Sequence, residues 1–203
     1  MREGHHVSGD HTRRPEDEEA CATAAFAFEL GVLKNMRRAG WWHAGVRDPE
    51  SVAEHSLRVA QLASLIAAEE GADPARAAFL GLWHDSQETR TGDIPHTAKP
   101  YLASRIDNRA ITADQTARMP EMAAKTVREA VDEYESQDTA EAHCAKDADK
   151  LECLIQAVEY RTAGYQNLQS WIDSSRAGLR TEAARRIADA ALRTSPLTWR
   201  EHV

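Results

Sequence analysis

Helix-start signals recur along this chain, and no segment shows the apolar–polar alternation of a strand, which confines it to an all-α fold. Ser51-Val52-Ala53-Glu54 is a capping box, in which a hydroxyl and a glutamate three residues on satisfy each other's backbone N–H groups. A helix is predicted from Val52 through Glu69, stopping at Gly71, with Val52, Val59, Leu62 and Ile66 on its apolar face. Asp73-Pro74 then supplies an N-cap and a proline for the first position of the next helix. Asp138-Thr139-Ala140-Glu141 reads as another capping box, opening a helix that carries Leu154, Ile155 and Val158. Upstream, an alanine-rich run from about Glu18 places Phe26, Leu30 and Leu33 at i, i+4 and i+7, and Arg37-Arg38-Ala39-Gly40 suits its end. Further helices are expected over Asn108 to Met119, Glu121 to Tyr134, Trp171 to Leu179 and Glu182 to Arg193. There is no internal repeat.

The 203 residues suffice for one sizeable core and are short for two. We expect a single helical-bundle domain over 19–195, preceded by a mobile polar tail (1–18) and followed by a short C-terminal tail (196–203). His5, His6 and His11 in the first tail read as incidental. A net charge of −8 argues against a nucleic-acid polymer as partner, because backbone affinity needs a basic surface. A local arginine cluster can still take a small anion. No run approaches 18 apolar residues and no leader pattern opens the chain, so no membrane partner is expected. Cys21, Cys144 and Cys153 are an odd set without C-x-x-C spacing, which suits a cytoplasmic location rather than a disulfide framework or a zinc knuckle.

Chemistry concentrates in Phe79-Leu80-Gly81-Leu82-Trp83-His84-Asp85-Ser86-Gln87-Glu88. If this run is one continuous helix, His84 and Asp85 leave it side by side, and Glu88 falls one turn later on the same face. Such groups beside Leu80 and Leu82 are costly to bury unless something pairs them. A divalent metal held by His84 and Asp85, with Glu88 left free as acid or base, would do so. His55 lies on the apolar face of the preceding helix, at i+3 from Val52 and i−4 from Val59. In Lys146-Asp147-Ala148-Asp149-Lys150-Leu151-Glu152, Asp149 shares a face with Ala145 and Cys153 and points inward. Asp147 is rotated about 200° from it and reads as part of a solvated face. His55, His84, Asp85 and Asp149 are thus an ordered mixed nitrogen and oxygen set suited to one divalent ion: cobalt, manganese, magnesium, iron, nickel or zinc.

Two loops flank this set. Trp41 to Glu50 carries paired tryptophans among Gly40, Gly45 and Pro49; each ring is ordinarily core, or one walls a pocket. Thr91-Gly92-Asp93-Ile94-Pro95-His96-Thr97-Ala98-Lys99-Pro100 follows Glu88 directly and lies at the mouth of any site there. Asp93, His96, Thr97 and Lys99 are its candidates for substrate contact.

The series H…HD…D over three predicted helices resembles the HD-domain metal-dependent phosphohydrolases, and more closely their 5′-deoxyribonucleotidase branch. Arg38-Ala39-Gly40-Trp41, Pro49 to Ser56, His84 to Glu88, Thr91-Gly92-Asp93 and Lys146 to Glu152 follow that branch's motifs in order, across residues 26–160. The resemblance implies a metal-dependent phosphomonoesterase acting on nucleoside 5′-monophosphates with a preference for deoxyribose, a modified nucleotide included. It implies catalytic roles for Glu88, Asp93 and Arg38: Arg38 grips the phosphate, Asp93 meets the sugar or holds a water, and Glu88 handles a proton. It sets Trp41 beside the 2′ side of the sugar. The double tryptophan and Ile94-Pro95-His96-Thr97 depart from the pattern and bear on substrate choice. Two rivals remain. An HD-type di-iron oxygenase needs further histidine ligands, for which only His96 and His143 are available. A non-catalytic nucleotide-binding regulator would not need Glu88. Whether the chain forms a homodimer is left open.

Overall fold

The computed structural model describes residues 14–202. Nine α-helices follow one another, with no strand among the described residues. They are α1 (Pro15–Leu30), α2 (Val52–Glu70), α3 (Pro74–Trp83), α4 (Glu88–Thr91), α5 (Asn108–Gln115), α6 (Glu121–Ser136), α7 (Ala140–Thr162), α8 (Gln169–Ala177) and α9 (Glu182–Ala191). Short 3-10 turns cover Gly31–Lys34, Ala39–Ala44, His96–Tyr101 and Thr198–His202. The helix expected from Glu18 begins earlier, with a proline in its first turn and Glu16, Asp17 and Glu18 complementing the helix dipole. It also ends earlier, giving way to a 3-10 turn after Leu30. Residues 1–13 lie outside the described residues.

The core is a layer of α2, α3 and α7, with α6, α8 and α9 packed around α7. The Ser51 capping box forms in full, and Gly71 ends α2 in a left-handed conformation at φ 75°, so α3 folds back along α2. Asp73 caps α3 by accepting from the backbone N–H groups of Ala75 and Arg76. The two helices approach closely at Gly81, where an added Cβ would lie 3.2 Å from both the Ala60 Cα and a Val59 methyl. Overpacking such a contact costs about 1–3 kcal/mol.

Three expectations need correction. First, the cap of α7 is Thr139, one residue after the expected Asp138; its hydroxyl accepts from the Ala142 N–H. Second, α3 does not continue to Glu88. Three polar side chains take up local carbonyls beyond Trp83: His84 Nδ1 pairs with the Gly81 carbonyl, Ser86 Oγ donates to that of Trp83, and Gln87 Nε2 to that of His84. These local bonds compete with the helix ladder, and the chain turns until α4 starts at Glu88. Third, α7 has no solvated face at Asp147. Being packed on several sides, it buries Ala142, Ala145, Asp147, Leu151, Leu154 and Val158 alike. Asp147 is fully buried and caps the turn before α9, where Oδ2 accepts from the Arg180 N–H (2.7 Å), the Thr181 N–H (2.6 Å) and the Thr181 hydroxyl (2.9 Å).

Candidate metal centre

His55 projects from the first turns of α2, His84 and Asp85 from the turn after α3, and Asp149 from the middle of α7. These are the three elements of the core layer, so their packing brings the four side chains together. His55 Nε2 lies 3.4 Å from Asp149 Oδ1 and 3.7 Å from Asp85 Oδ2. His84 Nε2 lies 3.0 Å from Asp85 Oδ2 and 3.9 Å from Asp149 Oδ1.

His55, His84 and Asp149 are each held from behind. His55 Nδ1 meets Glu152 Oε2 at 2.5 Å, and Glu152 is itself gripped by Arg58 through Nε (2.9 Å) and Nη2 (2.7 Å). Burial pushes the Glu152 carboxyl up, but His55 and Arg58 outweigh it and hold it at about 2. An ionised Glu152 accepts the Nδ1 proton, so His55 turns Nε2 toward the site. His84 Nδ1, 2.7 Å from the Gly81 carbonyl, does the same for its ring. Asp149 Oδ2 accepts from the Tyr134 hydroxyl (3.2 Å) and from Lys146 Nζ (3.1 Å), leaving Oδ1 to face the histidines. Burial acts to lower the Lys146 ammonium, but Asp149 and Tyr134 prevail and raise it.

His55 Nε2, His84 Nε2, Asp85 Oδ2 and Glu88 Oε2 are all buried without a hydrogen-bond partner among the described residues. Orphaned buried polar atoms are rare and call for an explanation. Two imidazole nitrogens held from behind, with Asp85 Oδ2 and Asp149 Oδ1 within 3.0–3.9 Å of them, are a donor set that suits a divalent cation, and Glu88 stands beside it. The residues present therefore fit a metal ion. A second acidic group, Glu50, His55 and Glu152, lies on the Nδ1 side of the same ring, but Arg58 already supplies its cation.

Arg38 and Asp93 complete the site. A single bridge pairs Arg37 with Ser51, with the Arg38 N–H donating to the Glu50 carbonyl (3.0 Å) and the Val52 N–H to that of Met36 (2.9 Å). It pins Arg38 against the start of α2. Gly92, at φ 76° and ψ 161°, takes a conformation open essentially to glycine alone and delivers Asp93 to Arg38. Asp93 Oδ2 accepts from the Ala39 N–H, and its Oδ1 lies 3.5 Å from Arg38 Nη1. Arg38 Nη1 is also 3.5 Å from Asp85 Oδ2. Both contacts are long, so the guanidinium fork is held in place without being saturated. Burial, then Asp85 and Asp93, raise the Glu88 carboxyl to about 10 in the metal-free protein, against the pull of Arg38 and His55.

Other expected residues fall elsewhere. Trp41, 2% exposed, is a core residue rather than an open wall: its indole N–H donates to Glu50 Oε1 (3.0 Å), and its ring stacks on Trp171 at 5.9 Å. The direct sugar contact expected of it is not offered in this arrangement. His96, Thr97 and Lys99 are exposed on the 3-10 turn beyond Asp93 and make no side-chain hydrogen bond among the described residues. His143 Nε2 is taken by the Gln137 carbonyl (2.8 Å) and joins no cluster. Glu152, Tyr134 and Lys146 were missed as site residues. The spacing of Lys146 and Glu152 at three residues either side of Asp149 was a usable signal, whereas Tyr134 on α6 gave none.

The HD domain family profile matches residues 30–190, which carry all of these groups. The chain belongs to the HD-domain family. It is 34% identical over 149 residues to a 5′-deoxynucleotidase, HDDC2, of Bos taurus, with 72% of each chain covered. It is 32% identical over 136 residues to the 5′-deoxynucleotidase hdd1 of Schizosaccharomyces pombe, covering 64% of this chain and 68% of that one. Among solved structures, a conserved hypothetical protein from Pyrococcus furiosus superposes with a TM-score of 0.67 at 29% identity, over 84% of this chain and 99% of the other. The all-α fold expected from the helix signals, and the single HD domain that the resemblance implied, are those observed. No helix among the described residues is long and apolar enough to cross a membrane.

Proposed function

We propose that this HD-domain protein hydrolyses deoxynucleoside 5′-monophosphates to nucleoside and phosphate, using one divalent ion held by His55, His84, Asp85 and Asp149. The observation that carries the reading is the convergence of His55 Nε2, His84 Nε2 and Asp85 Oδ2, all buried without a hydrogen-bond partner among the described residues, with Asp149 Oδ1 from α7, beside an unsaturated arginine. The relatives named 5′-deoxynucleotidases support the substrate class. When bound, the ion supplies Lewis acidity toward the phosphoryl oxygens and the attacking water. Arg38 binds the phosphate with its fork of donors, and Asp93 orients that fork through its contacts with Arg38 and Ala39. Glu88 takes the proton of the attacking water and returns it to the 5′-oxygen of the leaving nucleoside. Burial beside Asp85 and Asp93 raises its proton affinity, which strengthens it as a base once ionised.

Trp41 acts on the site from beneath, by seating Glu50 and the Arg38–Ala39 backbone. His96, Thr97 and Lys99 are left as contacts for sugar or base at the rim. The three cysteines are free, in keeping with a cytoplasmic enzyme.

The test is phosphate release from deoxy-, ribo- and arabino-nucleoside 5′-monophosphates, with manganese, cobalt, magnesium, nickel, iron and zinc in turn. Release from the deoxy series that chelation abolishes supports the reading. Nucleotide binding without release under any metal would make the chain a regulator, and two iron atoms per chain would revive the oxygenase.

A further inference from the structure

Lys146 sits one turn before Asp149 on α7, and its ammonium is pinned rather than free. Nζ donates to Asp149 Oδ2 (3.1 Å) and to the Tyr134 hydroxyl (3.0 Å), and lies 4.9 Å from the centre of the Tyr134 ring. An ammonium has three N–H donors. The third has no acceptor among the described residues, and the side chain keeps 36% exposure beside an Asp149 carboxylate that keeps 20%. A lysine on a four-carbon stem is ordinarily mobile, and fixing it costs rotamer entropy. Here it is held at the mouth of the site with one donor to spare.

The charge balance says what that donor is for. Asp85, Asp93 and Asp149 gather in the site, and the arginine and lysine side chains in contact with them there are Arg38 and Lys146. A phosphomonoester entering here lies beside the Asp85, Asp93 and Asp149 carboxylates. Arg38 stands on the Asp85 and Asp93 side, and Lys146 stands on the Asp149 side. We propose that Lys146 is a substrate-binding residue: its third N–H donates to a phosphate oxygen, so the phosphoryl group is held between Arg38 and Lys146. This rests on the phosphomonoesterase reading and names a contact within it.

The experiment compares the parent with Lys146→Gln, Lys146→Arg and Tyr134→Phe, measuring manganese affinity, melting temperature, inorganic phosphate affinity by calorimetry on the manganese-loaded protein, and nucleotide turnover. A charge-assisted hydrogen bond is worth about a 10- to 100-fold change in binding. At saturating manganese, Lys146→Gln should weaken phosphate by about that factor and lower kcat/KM chiefly through KM, with any loss of manganese affinity no larger than in Tyr134→Phe, because the glutamine amide can still donate to Asp149 Oδ2. Lys146→Arg should recover most of the loss. Tyr134→Phe releases Asp149 from the hydroxyl but keeps the ammonium, so it should move manganese affinity more than phosphate affinity. Unchanged phosphate affinity in Lys146→Gln overturns the proposal. So does a loss as large in Tyr134→Phe, which would assign Lys146 to orienting Asp149. If the parent releases no phosphate from any phosphomonoester, the functional reading fails, while the phosphate-affinity comparison still decides the place of Lys146.

Discussion

Replacing Asp147 by alanine removes the acceptor of three hydrogen bonds at the entry to α9, in a position sealed from water. Two of the donors are backbone N–H groups, of Arg180 and Thr181, with nowhere else to turn; the Thr181 hydroxyl can rotate and already caps the Ala184 N–H. Each stranded buried donor costs about 1–3 kcal/mol. Set against this, the variant also removes a buried carboxylate whose Oδ1 has no hydrogen-bond partner and whose nearest cation, Lys150, is 4.0 Å away. The balance is a loss of about 2–4 kcal/mol. For a chain of this size that lowers the melting temperature by about 5–15 °C. Asp147→Asn keeps one acceptor oxygen and should lose roughly half as much. Thermal unfolding followed by circular dichroism gives the stability, and metal content of the folded protein gives the control. Asp147→Ala should bind as much manganese per folded chain as the parent. A variant that melts like the parent but has lost its metal would refute the structural role and make Asp147 a ligand.

The opposite pattern is expected at Asp149: the alanine variant loses the divalent ion, which elemental analysis reads directly, and retained stoichiometric metal would remove Asp149 from the ligand set. In the metal-free protein burial and Arg38 push His55 down, but Glu152 and Asp149 lift it to about 10. Since a ligand must offer a bare nitrogen, metal binding near neutral pH should release protons; calorimetry in two buffers of different ionisation enthalpy should give different apparent enthalpies, and identical ones would contradict this. On the α1 side, Arg90, with Gln115 and Thr89, holds Glu29 at about 2 against the upward pull of burial. A carboxyl depressed in the folded state stabilises above its unfolded value near 4.5 and loses that contribution as pH falls toward 2. Glu29→Gln should therefore flatten the acid side of the stability profile over that window, and a parallel profile would show that Glu29 contributes nothing there.

How far the residues alone revealed this protein varies with the range of the forces involved. The start of α2 at Val52, its end at Gly71 and the Asp73-Pro74 entry to α3 were legible because each is set within one turn of chain. That His55, His84, Asp85 and Asp149 come together was legible for a related reason: each candidate histidine or carboxylate broke the apolar pattern around it. The turn after Trp83 was not, since the apolar run continues while three side chains divert local carbonyls. Nor was the burial of Asp147, which depends on helices arriving around α7 from elsewhere in the chain. The same holds for Trp41, whose ring is covered by Trp171 from α8, 130 residues on, and for Tyr134, which reaches Asp149 from a different helix.

The role of Glu88 is the most direct point of attack on the whole account, because it separates catalysis from binding at one atom. Glu88 Oε2 is buried without a partner, one turn beyond the His84–Asp85 pair, and a glutamine there preserves shape while removing proton transfer. Bound metal, nucleotide affinity and phosphate release should be measured on the same preparation of Glu88→Gln. Metal and nucleotide affinity should stay near parental values while kcat falls on the order of 10²–10⁴-fold with little rise in KM. Turnover at the parental rate would contradict the acid–base role, and loss of the metal would make Glu88 a ligand.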